Sequence, residues 1–149
     1  MTNQRTTPMI REYRDSDLDQ LLDVWFQASE VAHPFLTEEF MAAERENIRN
    51  VHIPNANTWV YEDAGRVVGF IALIGNEVGA IFVSPEVQGR GFGQALMDLA
   101  RDRHDTLELD VFEANPIGCA FYEKYGFIQI GQSIHQESGQ PTLRLRYGA

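Results

Sequence analysis

The sequence predicts a single α/β domain of about seven strands and four helices. The chain has 149 residues, which fits one domain of ordinary size. Apolar residues make up 44% and charged residues 23% of the chain, both ordinary values for a globular protein. Segments that alternate with period two are interleaved with segments of helical spacing, which is typical of an α/β fold. We therefore treat residues 1–149 as one predicted domain.

The first part of the chain predicts one strand followed by two helices. A strand is expected from Met9 to Tyr13, and either Asp15 or Ser16 is expected to cap the helix that follows. The apolar face of that helix repeats at intervals of three and four residues, at Leu18, Leu21, Leu22 and Trp25. His33-Pro34 ends the first helix, and Thr37 is expected to cap the second.

An antiparallel meander is predicted next, after a loop at Ile53-Pro54-Asn55. Its three strands are expected at Thr58–Tyr61, Val67–Ile74 and Glu77–Val83. Ser84-Pro85 ends the third of these strands, because proline cannot donate a hydrogen bond to a strand ladder.

The remainder of the chain alternates helices and strands. The expected helices are Gln94–Arg103 and a second one that begins at Asn115-Pro116 and ends at Gly126. The expected strands are Thr106–Phe112, Phe127–Gly131 and Thr142–Tyr147.

Composition and charge exclude several functional classes. A net charge of −10 argues against nucleic-acid binding, which needs a basic surface. The same charge fits either a cationic substrate or mere solubility. No apolar stretch approaches the ~18 residues of a membrane span, and the polar start of the chain lacks the apolar core of a signal peptide. Cys119 is the single cysteine, so no internal disulfide can form, and we expect a cytoplasmic protein.

A glycine-rich loop joins a predicted strand to a predicted helix, with the sequence Gln88-Gly89-Arg90-Gly91-Phe92-Gly93. Glycines allow backbone amides to turn inward, and the free amides at a helix start favour an anion. A dinucleotide fingerprint counted from Gly89 would need glycine where Gln94 stands, and a P-loop would need a lysine that is absent here. The pattern that remains is Gln-x-x-Gly-x-Gly.

That pattern resembles the pyrophosphate-binding loop of the GNAT superfamily of N-acetyltransferases. A second segment is similar to another motif of the same family, with Asn115 followed by Ala120-Phe121-Tyr122 and Tyr125-Gly126-Phe127. The two motifs occur in the order the family has, and the resemblance is strongest from Glu77 to Gly131.

The resemblance implies a mixed, mostly antiparallel sheet whose fourth and fifth strands splay apart, with acetyl-CoA as co-substrate. The pantetheine arm would lie in the gap, against the backbone of Ile81, Phe82 and Val83, and would also bond Asn115. Arg90 would add charge to the pyrophosphate site. The amides expected to hold the pyrophosphate are those of Gln88, Gly89, Arg90, Gly91, Phe92, Gly93 and Gln94.

The reaction implied is acetyl transfer to an amine by direct attack in a ternary complex. A lysine-like amine has a pKa near ~10.4, so delivering it neutral at pH 7 costs about 4.6 kcal/mol and a base is useful. By resemblance, Glu77 is the expected base and Tyr122 the expected acid at the sulfur, while His33 and Phe35 are expected to line the acceptor pocket. Tyr122 could instead only pack, and Glu77 could be a solvated charge. The four histidines are scattered, so no metal site is expected.

Two questions stay open at the level of sequence. The first is whether the chain is an enzyme or a non-catalytic acyl-CoA-binding module with a regulatory role. The second is the acceptor, which could be a small-molecule amine, a protein lysine or a protein N-terminus. The oligomeric state is also open at the level of sequence, although the resemblance allows a homodimer, which is common in the family.

Overall fold

The computed structural model describes residues 9–148. The polar segment at the start of the chain, up to residue 8, and residue 149 lie outside the described residues. Within 9–148 the chain forms one sheet of seven strands in the order β1-β2-β3-β4-β5-β7-β6. The strands are β1 Met9–Glu12, β2 Asn57–Asp63, β3 Arg66–Ile74, β4 Glu77–Val83, β5 Leu107–Phe112, β6 Ile128–Ile134 and β7 Pro141–Tyr147.

Four α-helices cover the two faces of this sheet. They are α1 Leu18–Ala32, α2 Glu38–Asn47, α3 Phe92–Arg103 and α4 Pro116–Tyr125. The predicted face of α1 packs with Val60, Phe70 and Phe82 of the sheet, so α1 covers one face. Leu96 and Met97 of α3 pack with Leu109 and with Tyr122 of α4 on the opposite face. We call these the α1 face and the α4 face of the sheet.

Two local predictions differ from the structure. The N-cap position of α1 is Asp17, after a turn of 3-10 helix at Asp15–Asp17, and neither Asp15 nor Ser16 occupies it. The predicted loop at Ile53–Asn55 is a 3-10 turn that continues from π-helical residues Ile48–His52. Thr37 does cap α2 as predicted, since its hydroxyl accepts the amide N–H of Phe40 at 3.0 Å.

The most consequential feature of the sheet is the contact between β4 and β5, which stand fourth and fifth in the strand order. All other neighbouring strands pair antiparallel, whereas β4 and β5 run parallel and pair at Glu77 and Glu108 only. Beyond that point the two strands diverge. A β-bulge at Gly79, opposite Ala72 and Leu73 of β3, adds a bend to β4 just past the last paired residue. The expected splay between the fourth and fifth strands is therefore present.

The carboxylate of Asp17 anchors the start of α1 to the sheet. Arg11 donates two hydrogen bonds to it, both at 2.9 Å, and the amide N–H of Arg14 donates a third. The side chain of Asp17 is only 5% exposed. The hydrogen bonds from Arg11 lower the pKa of Asp17 below its usual value, although burial opposes this.

Replacing Asp17 by asparagine should lower the free energy of unfolding at pH 7 by about 3 kcal/mol, the cost of breaking a buried ion pair. Because the folded-state pKa is depressed, this contribution is complete above the ordinary carboxyl pKa of about 3.9 and is lost as the pH falls through the folded value. Urea unfolding at pH 7 and below pH 4 measures both effects. Asp19→Asn, at an exposed position of the same helix, is the control, and equal stability of the two variants at pH 7 would contradict the prediction.

Candidate active site

A large cavity opens where β4 and β5 diverge. Its volume is about 1110 Å³, and it runs through the gap in the sheet, so both faces contribute to its walls. Phe82, Phe112 and His33 line it on the α1 face, and Phe121 and Tyr122 line it on the α4 face. A cavity larger than the ~300–1,000 Å³ of ordinary ligand pockets can take an extended ligand in the gap and a second molecule beside it.

The edge of β4 presents free backbone groups to this gap at alternate residues. The amide N–H of Ser84 donates to the C=O of Val68 of β3 at 2.8 Å, so Ser84 and Val68 form a hydrogen-bonded pair. The neighbouring pair, Val83 and Gly69, is then a non-hydrogen-bonded pair, in which the N–H and C=O groups of each residue point away from the partner strand. By the same alternation, Ile81 and Val83 face the gap. The backbone of Phe82 is directed at β3, so the structure does not support the predicted backbone contact from Phe82. Its side chain instead lines the cavity.

The glycine loop has the geometry of an anion cradle. Gly89 and Gly91 both have φ of +84°, a left-handed conformation that favours glycine. A Cβ at either residue would meet open space, so the backbone there is accessible to a ligand. The first hydrogen bond of α3 runs from the N–H of Ala95 to the C=O of Gly91 at 3.0 Å. The N–H groups from Gly91 to Gln94 therefore have no partner within the helix.

Two side chains of the loop are held by neighbouring strands. Gln88 donates to the C=O of Val83 at 3.1 Å and thus already occupies one of the backbone groups that face the gap. Arg90 lies 3.6 Å from a carboxylate oxygen of Asp63 and 4.9 Å from the ring centre of Phe92. Arg90 remains 53% exposed, so its guanidinium is available to a phosphate near the loop.

Tyr122 reaches the cavity from the α4 face. Its ring packs edge-on against Phe121 and Phe127. Burial raises the pKa of Tyr122 above its usual value, so the phenol keeps its proton at neutral pH. Its hydroxyl makes no hydrogen bond to another residue in the described part of the chain, and its proton is available to a ligand.

Glu77 does not reach the cavity. It lies where β4 and β5 still pair, and Arg144 of β7 donates two hydrogen bonds to its carboxylate, at 2.7 and 2.5 Å. Arg144 also donates to Glu108 of β5 at 3.0 Å. These ion pairs tie β4, β5 and β7 together at the vertex of the gap. The carboxylate of Glu77 is therefore held by Arg144 and does not line the cavity that Tyr122 lines, and the role of Glu77 as base stays a prediction.

Asp110 is a carboxylate that the sequence interpretation missed. It lies on β5 two residues beyond Glu108, so it is about 6.6 Å further into the gap. It lines the cavity on the α1 face and its side chain is 55% exposed, with a guanidinium nitrogen of Arg144 at 3.3 Å. The alternation of Thr106–Phe112 already puts Asp110 on the face opposite Leu109 and Val111, and that signal could have identified it.

An aromatic chamber closes the cavity on the α1 face. The ring of His33 lies 5.0 Å from Phe112 and 5.7 Å from Phe35, measured between ring centres, and Phe112 is 5.3 Å from His135. Phe82 completes the group at 6.3 Å from His33. Of the two predicted pocket residues, His33 lines the cavity, whereas Phe35 does not line it and packs against the rings of His33 and Phe112. Phe82, Phe112 and His135 come from distant parts of the sequence.

Comparison with known proteins agrees with this geometry. Residues 54–129, which hold the divergent strands, the glycine loop and the helix that carries Tyr122, match the family model described as an acetyltransferase (GNAT) domain. The chain belongs to the GNAT family. A GNAT acetyltransferase uses acetyl-CoA as co-substrate, so the chain is an acetyl-CoA-dependent N-acetyltransferase, and the predicted enzyme class and co-substrate are confirmed.

Relatives of known name cover nearly the whole chain. The peptidyl-lysine N-acetyltransferase YiaC of Escherichia coli K12 is 33% identical over 135 residues, which are 90% of this chain and 92% of YiaC. The peptidyl-lysine N-acetyltransferase YjaB of the same strain is 32% identical over 93% of this chain and 95% of YjaB. The solution structure of apo YjaB from Escherichia coli has a TM-score of 0.86 and 30% identity, and covers 97% of this GNAT chain and all of its own. The mixed GNAT fold is confirmed.

Two further observations concern residues 9–148. In that range, no three His, Cys, Asp or Glu side chains are grouped as a metal ion would need. None of the helices described there has the length and apolar character that crossing a membrane requires.

Burial raises the pKa of the Cys119 thiol, which disfavours the thiolate that a covalent acyl-cysteine route would use.

Proposed function

We propose that this GNAT enzyme transfers the acetyl group of acetyl-CoA directly to an amine in a ternary complex. The observation that carries the proposal is the gap between β4 and β5, which has the glycine loop at its open end. The wall on the α1 face carries Asp110 and aromatic rings, and the wall on the α4 face carries the hydroxyl of Tyr122. The edge groups of Ile81, the amide N–H of Val83 and the side-chain amide of Asn115 would bond the pantetheine arm as it lies between the strands. The free amides from Gly89 to Gln94 would hold the pyrophosphate.

The two walls supply the two proton transfers that the reaction needs. A thioester in the gap has the α1 face on one side and the α4 face on the other. We infer that the amine enters from the α1 face, loses its proton to Asp110 directly or through water, and attacks the thioester carbonyl carbon. The new C–N bond replaces the C–S bond, and Tyr122 donates its proton to the departing sulfur. The second proton that the nitrogen loses as the amide forms returns to the Tyr122 phenolate, so the phenol is restored. The products are an amide and the free thiol of CoA. Asp110 is half exposed and can pass its proton to solvent.

The acceptor that fits best is the side chain of a lysine in a protein. YiaC and YjaB, each about a third identical to this chain, are named as enzymes that act on peptidyl-lysine. The aromatic chamber suits a long aliphatic chain that ends in a cation, because ring faces attract cations. The net charge of −10 favours the approach of basic substrates.

Turnover with matched acceptors tests this assignment. Acetyl-CoA consumption is measured with a lysine-containing peptide whose N-terminus is blocked, with the same peptide carrying norleucine in place of lysine, and with a polyamine. Acetylation of the lysine peptide alone, located by mass spectrometry, is the expected result. Turnover of the polyamine alone would overturn the lysine assignment, and no turnover with any amine would favour a non-catalytic acyl-CoA-binding module.

Replacing Gly91 by valine is expected to abolish measurable binding of acetyl-CoA. A β-branched side chain disfavours the φ of +84° at this residue, so the loop would turn its amides away from the pyrophosphate. Calorimetry measures the affinity. Gly65→Val is the matched control, because Gly65 has a φ of +78° and open space around it but lies in the turn between β2 and β3. Wild-type affinity in Gly91→Val would contradict the proposed pyrophosphate site.

A further inference from the structure

The side chain of Asn115 joins the two walls of the cavity. Asn115 precedes α4, is 7% exposed, and its Oδ1 accepts the amide N–H of Gly118 at 2.9 Å, which caps that helix. Its Nδ2 lies 3.2 Å from Nε2 of His33, in the connection between α1 and α2. Because the cap fixes which end of the amide is oxygen, the atom that faces His33 is the nitrogen donor.

This contact fixes the protonation state of His33. An amide nitrogen cannot accept a hydrogen bond, so Nε2 of His33 must accept one, and the ring carries its single proton on Nδ1. Burial in the aromatic chamber lowers the pKa of His33 to about 4, which agrees with a neutral ring at pH 7. A neutral imidazole at His33 adds no positive charge that would repel an incoming ammonium group.

The same amide has one donor to spare. Of the two N–H groups on Nδ2 of Asn115, one is directed at His33, and the other is left for the pantetheine arm that the proposed function places in the gap. A bound coenzyme and the ring of His33 would then be held by a single amide. Since His33 packs against Phe35 and Phe112, its ring connects that amide to the aromatic wall of the chamber.

We propose that His33 is a positioning residue for the acceptor amine, and that it acts through its hydrogen bond to Asn115. The bond holds the aromatic wall at a fixed position relative to the coenzyme across the gap. Binding of acetyl-CoA therefore positions the aromatic rings that receive the amine. This inference rests on the proposed function, because it requires the coenzyme in the gap and the acceptor in the chamber.

Two substitutions of His33 separate its hydrogen bond from its packing. His33→Phe keeps an aromatic ring and loses the Nε2 acceptor, whereas His33→Gln keeps a hydrogen-bond acceptor near that position. For the lysine peptide we expect kcat/KM to fall roughly tenfold in His33→Phe and less than about threefold in His33→Gln, the loss expected for one hydrogen bond. Calorimetry should give an affinity for acetyl-CoA within about twofold of wild type in both variants. Wild-type kcat/KM in His33→Phe, or equal losses in both variants, would overturn the proposal.

A double-mutant cycle tests the path through Asn115. Asn115→Ser keeps a residue that caps helices well but has no amide to bond His33. If His33 acts through Asn115, adding His33→Phe to Asn115→Ser should cost little more, whereas multiplication of the two single effects would overturn the coupling.

An NMR measurement separates this inference from the proposed function, because it needs no turnover. Nitrogen-15 shifts of the His33 ring at pH 7 should show a proton on Nδ1 and none on Nε2. An Nε2–H tautomer or a doubly protonated ring would overturn the inference even in an active enzyme. An inactive wild-type protein that shows the expected tautomer would count against the proposed function alone.

Discussion

Replacing Asp110 by asparagine is expected to lower kcat about a hundredfold, the lower range of what general-base catalysis contributes. The amide cannot accept the proton of the acceptor amine, although it keeps the size and position of the carboxylate on β5. Steady-state kinetics with the lysine peptide measures the effect. The affinity for acetyl-CoA should change less than about twofold, since Asp110 lies on the face that receives the amine.

Glu77→Gln is the matched control for Asp110→Asn. Glutamine keeps an oxygen that can accept from Arg144, so the vertex of the gap should hold and kcat should stay within about threefold of wild type. A hundredfold loss in Glu77→Gln together with normal turnover in Asp110→Asn would reverse the assignment. Glu77 would then be the base that the family resemblance implies, and its ion pair with Arg144 would have to open during turnover.

Replacing Tyr122 by phenylalanine is expected to lower kcat by at least about tenfold and to raise KM much less. Phenylalanine keeps the packing against Phe121 and Phe127 but removes the proton that the departing sulfur needs. Since burial raises the pKa of Tyr122, the wild-type enzyme should lose no activity from ionisation of this phenol below pH 10. The pH profile of kcat measures this.

Tyr125→Phe is the control on the same helix. The hydroxyl of Tyr125 donates to Asp98 of α3 at 2.6 Å, so its loss should lower the free energy of unfolding by about 1 kcal/mol and leave kcat nearly unchanged. Equal kcat in Tyr122→Phe and wild type would remove Tyr122 from the mechanism and leave it a packing residue.

The sequence predicts the parts of this molecule whose causes are local. Gly89 and Gly91 can be assigned to a tight loop from the sequence, because glycine readily adopts the positive φ that both have, +84°. Thr37 caps α2 through an atom only three residues from its partner. The order of strands and helices follows from hydrophobic periodicity in the same way.

The sequence is least informative where a distant residue decides the outcome. Asp17, not Asp15 or Ser16, takes the N-cap position of α1 and binds Arg11 of β1. Glu77 is a plausible base by its place on β4, but Arg144, 67 residues later, binds its carboxylate. Neither partner can be identified from periodicity, because strand pairing brings them together.

The aromatic chamber shows the same limit from another side. The family resemblance predicts that His33 and Phe35 line the acceptor pocket, while Phe82 and Phe112 look like ordinary core residues of apolar strands. Only the divergence of β4 and β5 turns these two rings toward a cavity. Phe82 and Phe112 line a cavity because β4 and β5 do not pair beyond Glu77 and Glu108. The composition of a strand does not indicate whether its neighbour pairs with it, so this feature could not be predicted from the sequence.

A crystal structure of this chain with coenzyme A would show where the coenzyme binds. We expect the pyrophosphate oxygens to lie within hydrogen-bond distance of backbone amides between Gly89 and Gln94. We also expect the pantetheine arm between β4 and β5, with the sulfur next to the hydroxyl of Tyr122. A coenzyme bound outside the gap, with its pyrophosphate away from the loop, would contradict the proposed function.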